Sequence, residues 1–426
     1  MNIRWAVPYE IIIGRLIKKI FKKQKKVKLI IKRNSKLVMV GISFTAIILL
    51  GLFTSQALAY ARPQYWPSWD IWRETSPEEQ DMDSSKIEEM YDFIEANEII
   101  IQSVLIIRNG YIINEEYLNN SIRMEQKSYY WPEADPVWEL RDGRLHHTYS
   151  ATKSVVSLLT GIAIEMGLFD LDTKFFDVFP ERWDSDYYGD VRKKDITVEN
   201  LLLQNAGIQW NAWDPVLSEE WAATDYSIDF YLLQPMAYTP GEEDPWAWTY
   251  SSANTEMLSV IIANRSGMTM ADFARKHLFK PLKIRDNEWD WLYGPSAWGT
   301  GDLANKNFGG FGLFMTHKAM ARIGLMCLNE GKWRGRQVVS EEWVETSTSA
   351  LIERTFFGMF LFNYGYLWWV TPDKYYQAFG AFTQRIIVIP EYDIVVVFTA
   401  NDPGDLIWSG PVDSGLIDDF IIPAVL

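Results

Sequence analysis

Between Arg144 and Glu165 the chain carries a single charged side chain, Lys153, within a run of small, branched and apolar residues at helical spacing. A helix of that composition has to be buried, so whatever fold the chain adopts must cover this segment. Ser150 lies three residues before Lys153, which puts hydroxyl and ammonium on one helix face, one turn apart. Burial penalises the ammonium, so the pKa of Lys153 should fall until it can act as a base. A serine beside such a base is the arrangement an activated nucleophile needs. The plainer alternative is a helix N-terminus with a capping hydroxyl and a lysine that snorkels to solvent.

With 426 residues, 48% hydrophobic and 15% aromatic, the chain can bury a large core as one big domain or two smaller ones. Its one cysteine, Cys327, excludes an internal disulfide. The four histidines (His146, His147, His277, His317) show no metal-ligand spacing, so no zinc site is expected. The net charge of −15 hides an asymmetry: residues 1–36 hold 12 Lys or Arg against Glu10 alone, whereas the remainder holds 29 basic and 55 acidic side chains. A basic block before an acidic body signals membrane topology, not nucleic-acid binding.

From Leu37 to Tyr60 the sequence is uncharged and long enough to span a bilayer. The expected organisation is a cytoplasmic tail (1–36), a membrane anchor (37–60) and a Pro- and Trp-rich stalk (61–80). The body (81–405) then lies outside the cytoplasm, followed by a C-terminal segment (406–426). Ala57-Leu58-Ala59 also resembles a signal-peptidase site, and cleavage there would give a secreted protein.

Within the body, Ser84–Ala96 reads as an amphipathic helix, and Ser103–Tyr117 as two strands joined by Asn109-Gly110, a hairpin signal. An aromatic, polar loop (121–145) precedes the Ser150 helix. Residues 167–300 are mainly helical in pattern. Strand-like runs return at Tyr364–Val370, Arg385–Ile389 and Asp393–Phe398, the last two joined by a turn at Pro390. Strands near both ends around a helical middle predict an α+β fold, an antiparallel sheet built from both ends of the body, flanked by helices and carrying a helical subdomain.

About one hundred residues after Ser150 stands Trp248-Thr-Tyr-Ser-Ser-Ala-Asn-Thr-Glu-Met-Leu258, whose Tyr250 hydroxyl could share a proton with Lys153. Together with Ile196–Gly207, Gly309-Gly310, Asn329–Trp333 and Gly380–Pro390, these residues resemble the serine beta-lactamase and penicillin-binding-protein superfamily. The resemblance covers about residues 76–405 and is nearest to the esterase-like and 6-aminohexanoate-dimer-hydrolase-like branch. It implies acyl transfer with Ser150 as nucleophile, Lys153 and Tyr250 as base and relay, and the backbone N–H groups of Ser150 and Ala381 as oxyanion hole, a mechanism that calls for no cofactor or metal.

Ser252, Asn254, Phe379, Gly380 and Trp248 are then candidates for substrate binding. Trp131, Trp138, Trp210, Trp213 and Trp246 fall in segments that line the cleft of that fold. One motif departs from the pattern. Where beta-lactamases and D-alanyl-D-alanine peptidases use Lys-Thr-Gly, this chain has Ala378-Phe379-Gly380, without cation or hydroxyl. That favours a small neutral ester or amide over a penicillin or peptidoglycan stem. A true beta-lactamase or carboxypeptidase is one alternative, and a non-catalytic, membrane-tethered ligand sensor is another.

Overall fold

The computed structural model describes residues 65–67, 71–99, 101–118, 145–211, 214, 216–217, 220, 228–295, 305–357, 360–400 and 415–426. The basic tail, the uncharged segment 37–60 and the predicted loop up to residue 144 lie outside the described residues.

Helix α1 (Ser84–Ala96) starts where the Asp83 carboxylate accepts the Ser85 N–H at 2.9 Å, and it buries Ile87, Met90 and Ile94 at helical spacing. Strands β1 (Ser103–Arg108) and β2 (Tyr111–Tyr117) follow as a hairpin. Asn109 and Gly110 both take positive φ, 53° and 82°, as a primed two-residue turn requires. A short strand, β3 (His146–His147), leads into helix α2 (Ala151–Glu165). Helices α3 (Val198–Leu203) and α4 (Ser252–Ser266) belong to the helical middle. Strands β4 (Trp289–Trp291) and β5 (Leu313–Met315) join β3 in a small sheet ordered β3-β5-β4. After α5 (His317–Leu328) and α6 (Glu341–Ser347) the chain forms β6 (Ile352–Phe357), β7 (Phe360–Tyr364), β8 (Trp369–Thr371), β9 (Tyr375–Gly380), β10 (Gln384–Ile389) and β11 (Ile394–Thr399).

Among the described residues the main sheet has eight strands in the order β6-β7-β8-β9-β10-β11-β1-β2. Its pairings are antiparallel, and the N-terminal hairpin closes on the last strand, with Ile106 opposite Val396. The expected α+β sheet built from both ends is therefore present.

Strand β11, Ile-Val-Val-Val-Phe-Thr, is buried along its whole length because both faces of the sheet are covered. Val395 and Val397 enter the core that includes α2 and α5. Ile394, Val396 and Phe398 pack instead with α1 and a C-terminal helical turn, Leu416–Ile421. Gly324 of α5 sits so close to the sheet that a β-carbon there would lie 2.6 Å from Val395.

Two expectations need correction. The segment read as a stalk is docked onto the body in its described part. Trp66 packs on Trp333 at 5.2 Å, Trp72 is buried, and the Ile112 N–H donates to the Arg73 carbonyl at 2.9 Å. Trp66 and Trp72 bury too much apolar surface for this part to stand off as a spacer. The strand expected over Tyr364–Val370 is broken into the end of β7 and the start of β8. The Gly365 N–H donates to the Trp368 carbonyl at 2.9 Å, and Leu367 takes a φ of 62°, which closes a turn.

Candidate active site

Helix α2 begins at a strained corner. Tyr149 takes a φ of 46°, an uncommon region for any residue but glycine. Thr148 anchors the corner: its hydroxyl donates to the Leu313 carbonyl at 2.8 Å and lies 3.0 Å from that of Thr152, which accepts the Leu313 N–H at 3.2 Å. The Tyr149 ring is held between His147 at 3.9 Å and Phe382 at 5.0 Å. Ser150 is left half-buried at the helix start and makes no capping hydrogen bond with its side chain. Lys153 is 1% exposed. Neither half of the capping-and-snorkelling alternative holds.

The lysine reaches three oxygens. Its Nζ lies 3.1 Å from Ser150 Oγ and 2.9 Å from Ser252 Oγ, and it donates to the Gly310 carbonyl at 2.7 Å. A carbonyl can only accept, so Gly310 takes one N–H whether the lysine is charged or neutral. The remaining directions face the two hydroxyls. Burial pulls the Lys153 pKa from 10.5 to about 7, against the opposing pull of the Glu256 carboxylate. Tyr250 moves the other way: burial raises its phenol well above the ordinary value, and a hydrogen bond with Ser150 offsets only part of the rise. The Tyr250 ring centroid is 4.8 Å from the lysine Nζ. Near neutral pH one serine is thus flanked by a poised amine and a protonated phenol.

The end of β9 runs against this corner. A β-carbon on Gly380 would collide with the Thr148 carbonyl oxygen and lie 3.2 Å from the Ala151 nitrogen. The next residue, Ala381, enters a turn in which Phe382 and Thr383 take φ of 55° and 61°, and Gln384 Nε2 holds it by donating to the Phe382 carbonyl at 3.1 Å. The backbone of residues 380–381 therefore sits beside the start of α2.

The predicted substrate residues separate into two groups. Ser252 is within reach of Lys153, and Trp248 packs on Tyr250 at 6.1 Å. Asn254 is turned away: its amide donates to Gln204 Oε1 at 3.1 Å and accepts from the Tyr231 hydroxyl at 2.9 Å. The reason is helical geometry, since residues two apart on α4 point to opposite sides. Phe379 is buried between Trp369 at 5.6 Å and the guanidinium of Arg385, 3.1 Å from its ring centroid.

Of the other tryptophans assigned to the cleft, Trp210 is core packing against Tyr231 and Trp246 is 71% exposed. Trp131, Trp138 and Trp213 lie outside the described residues. Sequence reasoning missed Tyr364, Trp369 and Glu256. Register places Tyr364, Trp369, Phe379 and Arg385 along one face of the sheet, and the Tyr364 and Trp369 rings close on Trp248 at 5.4 and 6.1 Å.

Residues 103–406 match the family model described as Beta-lactamase. The chain belongs to the beta-lactamase family. It is 25% identical over 293 residues to the 6-aminohexanoate-dimer hydrolase of Paenarthrobacter ureafaciens, covering 64% of this chain and 71% of that protein. Among solved structures, a penicillin-binding protein homologue from Caulobacter crescentus superposes with a TM-score of 0.57 at 15% identity, over 80% of this chain and 97% of the other. The simvastatin synthase of Aspergillus terreus superposes with a TM-score of 0.55 at 14% identity, over 80% and 96%. These likenesses carry the fold, and the family carries the class: this is a beta-lactamase-related serine hydrolase.

Proposed function

We propose that the protein hydrolyses a small neutral ester or amide through an acyl-enzyme on Ser150. The observation that supports it is the Lys153 amine, buried and lowered to about 7, within 3.1 Å of a half-buried serine hydroxyl. Ser150 Oγ attacks the substrate carbonyl while its proton passes to Lys153. The Ser150 and Ala381 N–H groups hold the resulting oxyanion, a contribution of about 2.7–4 kcal/mol per donor in comparable sites. Collapse of the intermediate breaks the bond to the alcohol or amine. That leaving group takes a proton from the Tyr250 hydroxyl, which Lys153 replenishes. Water then attacks the acyl-serine, giving its proton to the same pair; the bond to Ser150 Oγ breaks, the pair returns that proton to the serine oxygen, and the acid is released.

One feature favours a neutral substrate: the strand facing the serine offers Ala378-Phe379-Gly380, with neither cation nor hydroxyl. The chain from Leu37 to Tyr60, uncharged and preceded by the basic block, supports a membrane anchor that holds the body outside the cytoplasm. Alkaline carbonate extraction of the full-length chain tests that placement, and release into the soluble fraction would contradict it. For the chemistry, the test is labelling of residues 61–426 with a fluorophosphonate probe. Wild type should be labelled and Ser150→Ala should not. Equal labelling of the two would reject Ser150 as nucleophile.

A further inference from the structure

Resting on that reading, we infer that Glu256 is a positioning residue for the base: it clamps the Gly309-Gly310 turn, which in turn fixes Lys153 against Ser150. Glu256 follows Ser252 by one helical turn on α4, so both look toward Lys153. Its side chain is fully buried, a position a carboxylate keeps only with strong partners. Two of those partners are consecutive backbone donors: Gly309 N–H reaches one carboxylate oxygen at 3.2 Å, and Gly310 N–H the other at 3.1 Å.

The same peptide segment then presents the Gly310 carbonyl to Lys153 Nζ at 2.7 Å, the shortest of the lysine's three contacts. Nothing larger than glycine fits in the clamp. A β-carbon at 309 would lie 2.7 Å from the Thr255 carbonyl, and one at 310 would lie 2.6 Å from Ser252 Cβ. The chain is therefore pressed onto α4 where the carboxylate can grip it.

The arrangement does two things. It holds one of the lysine's hydrogen bonds on the Gly310 carbonyl while Ser150 and Ser252 both lie within reach of the same amine. It also places a negative charge close enough to favour the ammonium, which keeps the Lys153 pKa from falling lower than about 7. The groups that bear on this titration are Glu256 from α4 and the Tyr250 phenol from the loop before it. The turn brings backbone alone, and Phe379 and Gly380 from β9 carry no ionisable group.

The test is the pH profile of kcat/KM for p-nitrophenyl butyrate, read with the rate of fluorophosphonate labelling, for wild type and Glu256→Gln. The carboxamide keeps the shape, removes the charge and can accept only one of the two N–H groups. Its acid limb should move to lower pH by roughly a unit, with kcat down about tenfold or more. A fall in activity with an unmoved limb would overturn the inference, because a merely structural residue would act that way. Glu256→Asp carries the test if the glutamine variant does not fold. It retains the charge but withdraws it, so labelling at pH 9 should slow while the limb stays near wild type. Wild-type labelling rates in Glu256→Asp would overturn the inference as well. Absence of labelling in the wild type would instead reject the Ser150 reading itself.

Discussion

Gly380 and Thr148 touch through their backbones, leaving no room for a β-carbon between the end of β9 and the corner that presents Ser150. This contact sets the distance between β9 and the start of α2, and hence the position of the Ala381 N–H, the proposed oxyanion donor. Gly380→Ala should therefore push β9 outward. A displacement of about 1 Å can cost roughly 10²-fold in rate when it falls on an oxyanion donor. Steady-state kinetics on p-nitrophenyl butyrate should show that loss in kcat, with KM little changed.

Lys153→Met tests the base. Turnover should fall by about a thousand-fold or more, since the serine keeps its place but loses its proton acceptor. Stability should move the other way. The folded-state pKa of about 7 lies below the ordinary 10.5, so the unfolded chain binds the extra proton between those values, and wild-type stability rises with pH across that window. Methionine removes the burial penalty, so its advantage in melting temperature should be largest below pH 7 and vanish near 10.5. A variant less stable than wild type at pH 6 would mean that Lys153 is structurally paired.

Tyr250→Phe should leave the fold intact, because the ring contacts with Trp248 at 6.1 Å and Trp369 at 5.7 Å do not involve the hydroxyl. Loss of the relay should lower kcat by about 10²–10⁴. The deficit should be smaller for esters with good leaving groups, whose departure needs less proton donation. Parallel assays with p-nitrophenyl and ethyl esters measure the difference.

Neutral short-chain esters should be hydrolysed far faster than nitrocefin. A carboxylate placed against Phe379 loses its hydration without a partner hydroxyl or lysine in the motif. Arg385 lies opposite Phe379 on the neighbouring strand, but it is 1% exposed, laid on the Phe379 ring, with one guanidinium nitrogen donating to the Gly380 carbonyl at 3.4 Å. Comparable kcat/KM values for p-nitrophenyl butyrate and nitrocefin would contradict this specificity.

What could be read from sequence alone was local. Asn109-Gly110 named its own turn because few other pairs tolerate two positive φ values. The proximity of Ser150 and Lys153 was legible because one helical turn fixes their spacing, and Lys153 Nζ does lie 3.1 Å from Ser150 Oγ. Asn254 was misjudged for the same reason in reverse: its proximity in sequence to Ser252 hid the half-turn that sends it to Gln204 and Tyr231. Glu256 stayed invisible because its partners, Gly309 and Gly310, lie more than fifty residues away and meet it only through the packing of α4. The aromatic face of Tyr364, Trp369 and Phe379 depends on cross-strand register, which the break at Gly365 disguised.

The central claim is that substrate passes through a covalent ester on Ser150. Rapid quenching of the enzyme during turnover of p-nitrophenyl butyrate, followed by peptide mass spectrometry, observes that species directly. One butyryl group should appear on the peptide carrying Ser150 and should disappear as turnover ends. An unmodified Ser150 under steady turnover, or a butyryl group on another residue, would contradict the account.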